Sequence, residues 1–338
     1  MNPSDLLRVA FDHAVEAAQA ECLIPYLNEL LAIDGKTRFL VVGKAAAQHA
    51  SIAAECLGDI EGLCIIPKGH QVSTTLTVIE ASHPVPDAGS LQAAEAALAL
   101  AQSLGPDDRL VCLISGGGSA LMSAPLVSMA ADLKMRTHQA LLASGATISE
   151  LNTVRKQLSL VKGGRLVEAC QGHVLNFLVS DVPGDRVEFI ASGPTVPAHT
   201  NQSDAIEVLT RYQIDLLDEL LPWLSNADYA TPHPDSDCFQ RVTTTIVAAP
   251  SQSLKRAQAF LESEGVECWL LGDSIEGDSV TVARVMAETA LWQRRHQRLE
   301  RPLCLLSGGE TTVKVVADGI GGPKAHFALA LLDALEGT

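Results

Sequence analysis

Residues 38–50 read RFLVVGKAAAQHA, where an apolar run enters Gly43–Lys44 and then an alanine-rich segment. The run is too short for a helix and has the length of a buried strand. Similar runs recur, separated by Ala- and Leu-rich segments of helical length: 63–66, 76–79, 110–114 and 174–179. Continuous apolar strands alternating with helices predict an α/β fold with a Rossmann-like, largely parallel sheet covered on both faces.

Composition and charge limit the kinds of molecule that this protein is expected to bind. The 338 residues carry a formal net charge of −16, without a block of like charge, which argues against nucleic-acid binding. No run approaches the roughly 18 apolar residues of a membrane span. The start reads as an amphipathic helix with Asn2 as N-cap and Pro3 in its first turn, rather than as a signal peptide. Eight scattered cysteines without a Cys-x-x-Cys pair fit a cytoplasmic location.

The alternation of strands and helices breaks once, at the polar stretch 225–240, which contains two prolines. We therefore expect two α/β domains, residues 1–235 and 241–338, with an active-site cleft between them. A homodimer is compatible with the sequence without being specified by it.

Two glycine turns follow apolar runs in the first predicted domain. Gly43–Lys44 places a cation at a strand end, although a solvated lysine would explain it equally well. The Walker pattern would need glycine where Arg38 stands, which excludes a P-loop. The run 115–125, SGGGSALMSAP, can bring Gly116, Gly117, Gly118 and the Ser119 hydroxyl close to an oxyanion, although a tight structural turn is the plain alternative.

Charged residues cluster in two further segments. LNTVRKQLSLVKGGRL (151–166) is the most basic run, and helical spacing places Arg155 and Lys162 on one face, suited to a carboxylate or phosphate or simply to water. In VSDVPGD (179–185), Asp181 and Asp185 can converge for Mg²⁺ or as a general base, although turn formation alone would also explain them. The nearby SGPT (192–195) adds another glycine turn with hydroxyls.

Two more stretches complete the set. SGGETTV (307–313) offers Ser307, Gly308 and Gly309 to a phosphate and the Glu310 carboxylate to a metal or ribose. ASHPVPD (81–87) holds His83 in a proline-fixed loop, where it either touches a ligand or only packs. Amides and lysines for phosphates, carboxylates for Mg²⁺ and a base for the acceptor are the parts that phosphoryl transfer needs.

The motifs VVGKAA, SHPVPD, ISGGGSALM, LNTVRKQLSLVKGGRL, VSDVPGD, IASGPTVP and SGGETTV, in this order, resemble the class II glycerate kinase family, whose C-terminal part is of the type named MOFRL. The resemblance covers residues 1 to about 330. It implies ATP- and Mg²⁺-dependent phosphorylation of D-glycerate to 2-phosphoglycerate.

The resemblance also implies roles for individual residues. They are catalysis by Lys44 and Asp181; nucleotide or phosphate binding by Gly116, Gly117, Gly118, Ser119, Ser307, Gly308 and Gly309; substrate binding by Arg155, Lys156, Lys162 and His83; and Mg²⁺ binding by Asp185 and Glu310.

The sequence departs from the family pattern after SGGETTV. The family has Gly-x-Gly-Gly followed by Arg or Pro and then Asn-Gln-Glu, whereas Lys324, Ala325 and His326 stand here, and family members usually continue further, so a short or truncated member is expected. Two alternatives follow: a member that binds a nucleotide or hydroxy acid without turnover, and an NAD(P)H-dependent hydroxypyruvate reductase. The latter lacks a Gly-x-Gly-x-x-Gly turn after a strand.

Overall fold

The computed structural model describes residues 1–30, 35–296, 300–313 and 321–336. Its strands, in chain order, are β1 Thr37–Val42, β2 Gly62–Pro67, β3 Thr77–Ala81, β4 Arg109–Ile114, β5 His173–Val179, β6 Val242–Ala248, β7 Glu267–Leu270, β8 Ile275–Asp278, β9 Leu303–Leu306 and β10 Gly309–Thr312. Its helices are α1 Pro3–Glu16, α2 Ile24–Leu30, α3 Ala46–Leu57, α4 Ala88–Gln102, α5 Gly118–Leu121, α6 Ala131–Ala143, α7 Ile148–Gln157, α8 Arg165–Glu168, α9 Gln202–Arg211, α10 Leu217–Leu224, α11 Pro250–Ser263, α12 Ser279–His296 and α13 Pro323–Glu336.

The chain forms two compact units, and the larger contains residues 20–182 and 186–247. Its sheet has the strand order β3-β2-β1-β4-β5-β6, with parallel pairing from β3 through to β5. This is the doubly wound order of Rossmann folds. The predicted α/β class with a largely parallel sheet is confirmed.

Alternate residues of β1 serve opposite faces of this sheet. Leu40 and Val42 pack in one apolar cluster with alanines of α4, whereas Phe39 and Val41 pack in another with alanines of α3. Small alanines let each helix lie close to the strands. A third apolar cluster is formed by α6, α7, α9 and α10, and it includes apolar residues of the basic segment 151–166.

The smaller unit contains residues 1–19, 183–185 and 248–338. Parallel pairs join β7 to β9 and β8 to β10. Helix α1 packs on α11, where Ala10 contacts a cluster that includes Leu261. Asn2 caps α1 by accepting from the amide of Asp5, as the sequence predicts. The domain division at residues 235–241 remains a prediction.

No helix in the described part of the chain is long and apolar enough to cross a membrane.

Candidate active site

The site predicted from the sequence lies where the strand order of the larger unit reverses. Gly43 and Lys44 directly follow β1, and Ser115 begins the loop that follows β4, the strand beside it. The Lys44 amide donates to the Gly116 carbonyl at 2.8 Å, and the Ala45 amide donates to Ser115 Oγ at 3.2 Å. Ligands of open α/β sheets bind at this switch point, beyond the carboxyl ends of the strands.

The loop 116–119, which we call the glycine loop, presents a row of free amides. Within the described residues, the N–H groups of Gly116, Gly117, Gly118 and Ser119 donate no hydrogen bond. Gly117 has a φ of 86°, in the left-handed region that favours glycine. Consecutive unpaired amides in such a turn form a concave nest for an anion. The loop therefore has the geometry of a phosphate site.

Lys44, His83 and Asp181 surround this loop. Lys44 Nζ lies 3.9 Å from Asp181 Oδ2, and both side chains are about half exposed, at 55% and 52%. A Cβ on Gly117 would lie 3.0 Å from Lys44 Cγ and 3.1 Å from His83 Cδ2, so these two side chains flank the loop. The three residues follow different strands, and the fold brings them together at one edge of the sheet.

The surroundings of His83 favour its neutral form. Desolvation and the positive charge of Lys44 lower the pKa of His83, and the Asp181 carboxylate opposes them. His83 is therefore neutral at pH 7, able to accept or donate a hydrogen bond without adding charge.

The three basic residues proposed for substrate binding have different surroundings. Arg155 Nη2 lies 2.9 Å from Nε2 of His138. Lys156 is buried and donates to Glu188 Oε2 at 2.9 Å. Lys162 is also buried and donates to two backbone carbonyls of the segment that starts with the glycine loop. Only Lys156 has a carboxylate partner in the described structure.

Lys134 belongs to the same basic region, although no motif around it in the sequence singles it out. Its ammonium group donates to Ser123 Oγ and to the Ala124 carbonyl, at 3.2 and 2.7 Å. Burial and the charges of Arg155 and Arg165 lower the pKa of Lys134 to about 7. Lys134 lies on α6, outside the basic segment 151–166, so the sequence alone does not show that it lies near these cations.

The residues proposed in SGGETTV lie in the smaller unit. The Gly308 amide donates to the Gly272 carbonyl, and a side chain on Gly309 would overlap the backbone of Ile275. Glu310 is exposed on β10. In this second turn the Gly308 amide is therefore bonded to a backbone carbonyl, whereas the amides of the glycine loop donate to no described residue.

The carboxylates proposed for Mg²⁺ do not form a complete protein cage. Asp185 has a φ of 51°, and its buried Oδ1 lacks a hydrogen-bond partner in the described structure. Among the described residues, no group of three or more His, Cys, Asp or Glu side chains could hold a metal ion. Mg²⁺ commonly uses one or two carboxylates with water and substrate phosphates, so single carboxylates fit this ion.

The fold and the site together define an α/β protein with an anion-binding geometry at the switch point of its sheet. Residues 6–225 match a family model described as a domain of unknown function, DUF4147. The D-glycerate 2-kinase of Thermotoga maritima is 32% identical to this chain over 99% of the chain and 81% of that enzyme. The chain belongs to the glycerate kinase family, which confirms the resemblance inferred from the motifs.

Two further comparisons bear on fold and function. The crystal structure of the Thermotoga maritima glycerate kinase matches with a TM-score of 0.87, covering 99% of this chain and 80% of that one, at 32% identity. A protein of Agrobacterium vitis named "Putative hydroxypyruvate reductase" is 42% identical over 98% of this chain and 76% of its own length. The two relatives carry names of different enzyme classes.

Proposed function

We propose that this protein transfers the γ-phosphoryl group of ATP to D-glycerate, with Mg²⁺, and forms 2-phosphoglycerate and ADP. The observation that carries the proposal is the row of free amides in the glycine loop, flanked by Lys44 and Asp181. Kinship with proteins named glycerate kinases supports the choice of substrate. The use of ATP accords with the cytoplasmic setting expected from the cysteines.

The charges around the loop suit phosphoryl transfer. In the proposed reaction the loop amides hold phosphate oxygens, and Lys44 offsets the charge that spreads over the transferred group. Asp181 accepts the proton of the attacking substrate hydroxyl. The hydroxyl oxygen forms the new bond to phosphorus while the bond from phosphorus to the ADP oxygen breaks.

Mg²⁺ would neutralise phosphate charge when bound. We propose Asp185 and Glu310 as its carboxylate ligands, Arg155 and His83 as contacts of the glycerate, and Ser307 as a further phosphate donor. The buried Oδ1 of Asp185, which has no partner in the described residues, supports a ligand role because an unpaired buried carboxylate oxygen is costly.

Hydroxypyruvate reduction is the second candidate, because the relative of 42% identity bears that name. A panel of assays separates the two. Purified protein receives either D-glycerate, ATP and Mg²⁺ or hydroxypyruvate and NAD(P)H. ADP formation and a phosphoglycerate resolved by ³¹P NMR support the kinase; oxidation of the nicotinamide with no ADP formation supports the reductase. ATP binding without either reaction indicates a member that binds without turnover.

A further inference from the structure

Ser119 ends the glycine loop, and protein groups engage both its carbonyl and its hydroxyl. The carbonyl oxygen accepts from Lys162 Nζ at 2.7 Å. The hydroxyl lies 2.8 Å from the hydroxyl of Ser192. The amide of Ser119 donates to nothing in the described residues, so the contacts hold the residue while its N–H group stays free. These contacts hold Ser119 without using its amide.

The surroundings of Lys162 suit a residue that stabilises the backbone around α5. Lys162 is buried, with only 2% of its surface exposed. Besides the Ser119 carbonyl, its side chain contacts the Met122 carbonyl, at 2.9 Å. Burial and the charges of Lys134 and Arg155 lower the pKa of Lys162 well below its usual value. The two carbonyls accept two of the hydrogen bonds that the Lys162 amine can donate. Lys162 thus ties together both ends of α5.

The hydroxyl of Ser119 is held by a short relay. Ser192 Oγ donates to Asn152 Oδ1 at 3.1 Å, and both residues are buried. Since the single proton of Ser192 is used there, Ser192 accepts from Ser119, and Ser119 keeps its lone pairs for another partner. The backbone fixes the relay as well: Ser192 has a φ of 62°, and its carbonyl accepts from the Gly163 amide at 3.2 Å.

We propose that Lys162, Asn152 and Ser192 are positioning residues that act through Ser119 and hold the glycine loop in its anion-binding shape. The proposal rests on the proposed function for its catalytic consequence. It assigns Lys162 to the loop rather than to the substrate. A displacement of about 1 Å at such a loop costs about 100-fold in rate, so the small contacts of this clamp have a large effect.

A double-mutant cycle tests the relay by steady-state kinetics in ATP. We expect S192A to lower kcat/KM about tenfold or more in the wild-type background, and to change it less than twofold in the S119A background. The two substitutions share one hydrogen bond, so their effects must not add. Equal losses from S192A in both backgrounds would overturn the relay.

Hydrogen exchange tests the clamp without any need for turnover. K162M should speed the exchange of the Ala120, Leu121 and Met122 amides, which donate to carbonyls of the glycine loop, whereas K134M, which also removes a partly buried amine from two acceptors, should leave that exchange unchanged. Equal exchange in wild type and K162M would contradict the proposal. If K162M does not fold, Asn152→Leu gives the same comparison. A wild-type protein without kinase activity would refute the proposed function, while the exchange result still decides whether the clamp exists.

Discussion

The position of Gly116 has no room for a side chain, because the residue lies against Asp181, the proposed base. A Cβ at this position would overlap the carboxylate of Asp181. Gly43 has the same relation to Ser115, which lies across the switch point. Glycine at these positions therefore serves close approach between two strand ends, in addition to the turn of the backbone.

Replacing Gly116 by alanine should displace Asp181 and lower kcat for phosphoryl transfer about 100-fold, because the proposed base would leave its position. Steady-state kinetics with D-glycerate and ATP measures this change. Gly105→Ala is the matched control, since a Cβ there meets nothing closer than 3.7 Å. Wild-type kcat in the Gly116 variant would show that Asp181 does not act at that position.

Lys44 allows a clean separation of function from stability. Its side chain is 55% exposed, so Lys44→Ala should change the free energy of unfolding by no more than about 0.5 kcal/mol. Loss of a cation at the transferred phosphoryl group should lower kcat/KM at least about 100-fold. Chemical denaturation and initial rates check both values, with Lys255→Ala, an exposed lysine of α11, as control. Retention of full activity would remove Lys44 from the mechanism.

Some contacts of the site follow from the sequence, and others depend on tertiary packing alone. Lys44, Gly116 and Asp181 each follow an apolar strand, and strand ends of a parallel sheet share one edge, so their meeting could be predicted. The partner of Lys156 could not, because Glu188 lies 32 positions later on an irregular segment. Asn152 was equally hidden, since its partner Ser192 becomes its neighbour only through tertiary packing.

At the scale of elements, helix α3 carries a buried titratable group into the core. His49 is 1% exposed, and its Nδ1 has no hydrogen-bond partner in the described structure. Burial lowers the pKa of His49 from 6.5 to about 4. The folded protein therefore keeps this imidazole neutral while the unfolded chain protonates it.

This difference predicts acid sensitivity. The unfolded chain binds a proton near pH 6.5 and the folded chain only near 4, so the stability present above pH 6.5 is lost as the pH falls toward 4. The loss from this one group amounts to about 3 kcal/mol. Urea denaturation at pH 7 and pH 4.5 should show a smaller difference for His49→Met than for wild type. Exposed His199→Gln should match wild type; an unchanged difference in His49→Met would assign the acid loss elsewhere.

The elements themselves were predictable where apolar runs are continuous. The buried positions of strands β1, β2, β4 and β5 are occupied mostly by Val, Ile, Leu, Phe and Cys. Strand β8 has no such signal, because its residues, IEGD, include two carboxylates and a glycine and are largely exposed. Pairing with β10, rather than residue preference, makes this segment a strand.

At the scale of the whole molecule, chain order gave no hint of where the N-terminal helix packs. Helix α1 shares its unit with residues 248–338, because its apolar stripe, including Leu6 and Ala10, packs against α11. An amphipathic pattern shows that a helix buries one face, but it does not identify the partner. The polar stretch 225–240 also packs more than expected: the Tyr229 carbonyl accepts a hydrogen bond from Arg165.

The segment that departs from the family pattern, residues 324–326, contacts the second glycine turn through Lys324. Helix α13 begins at Pro323, and Lys324 Nζ donates to the Gly309 carbonyl at 2.9 Å. A cation therefore stands beside SGGETTV in this chain, where the family has the amides and carboxylate of Asn-Gln-Glu.

The most direct test is the reaction of the purified protein with D-glycerate, ATP and Mg²⁺, followed by ADP release and ³¹P NMR of the product. We predict stoichiometric ADP and 2-phosphoglycerate, with both formed at least about 100-fold more slowly by Lys44→Ala. A folded protein that forms no ADP above background, or that instead oxidises NAD(P)H with hydroxypyruvate, would contradict the account.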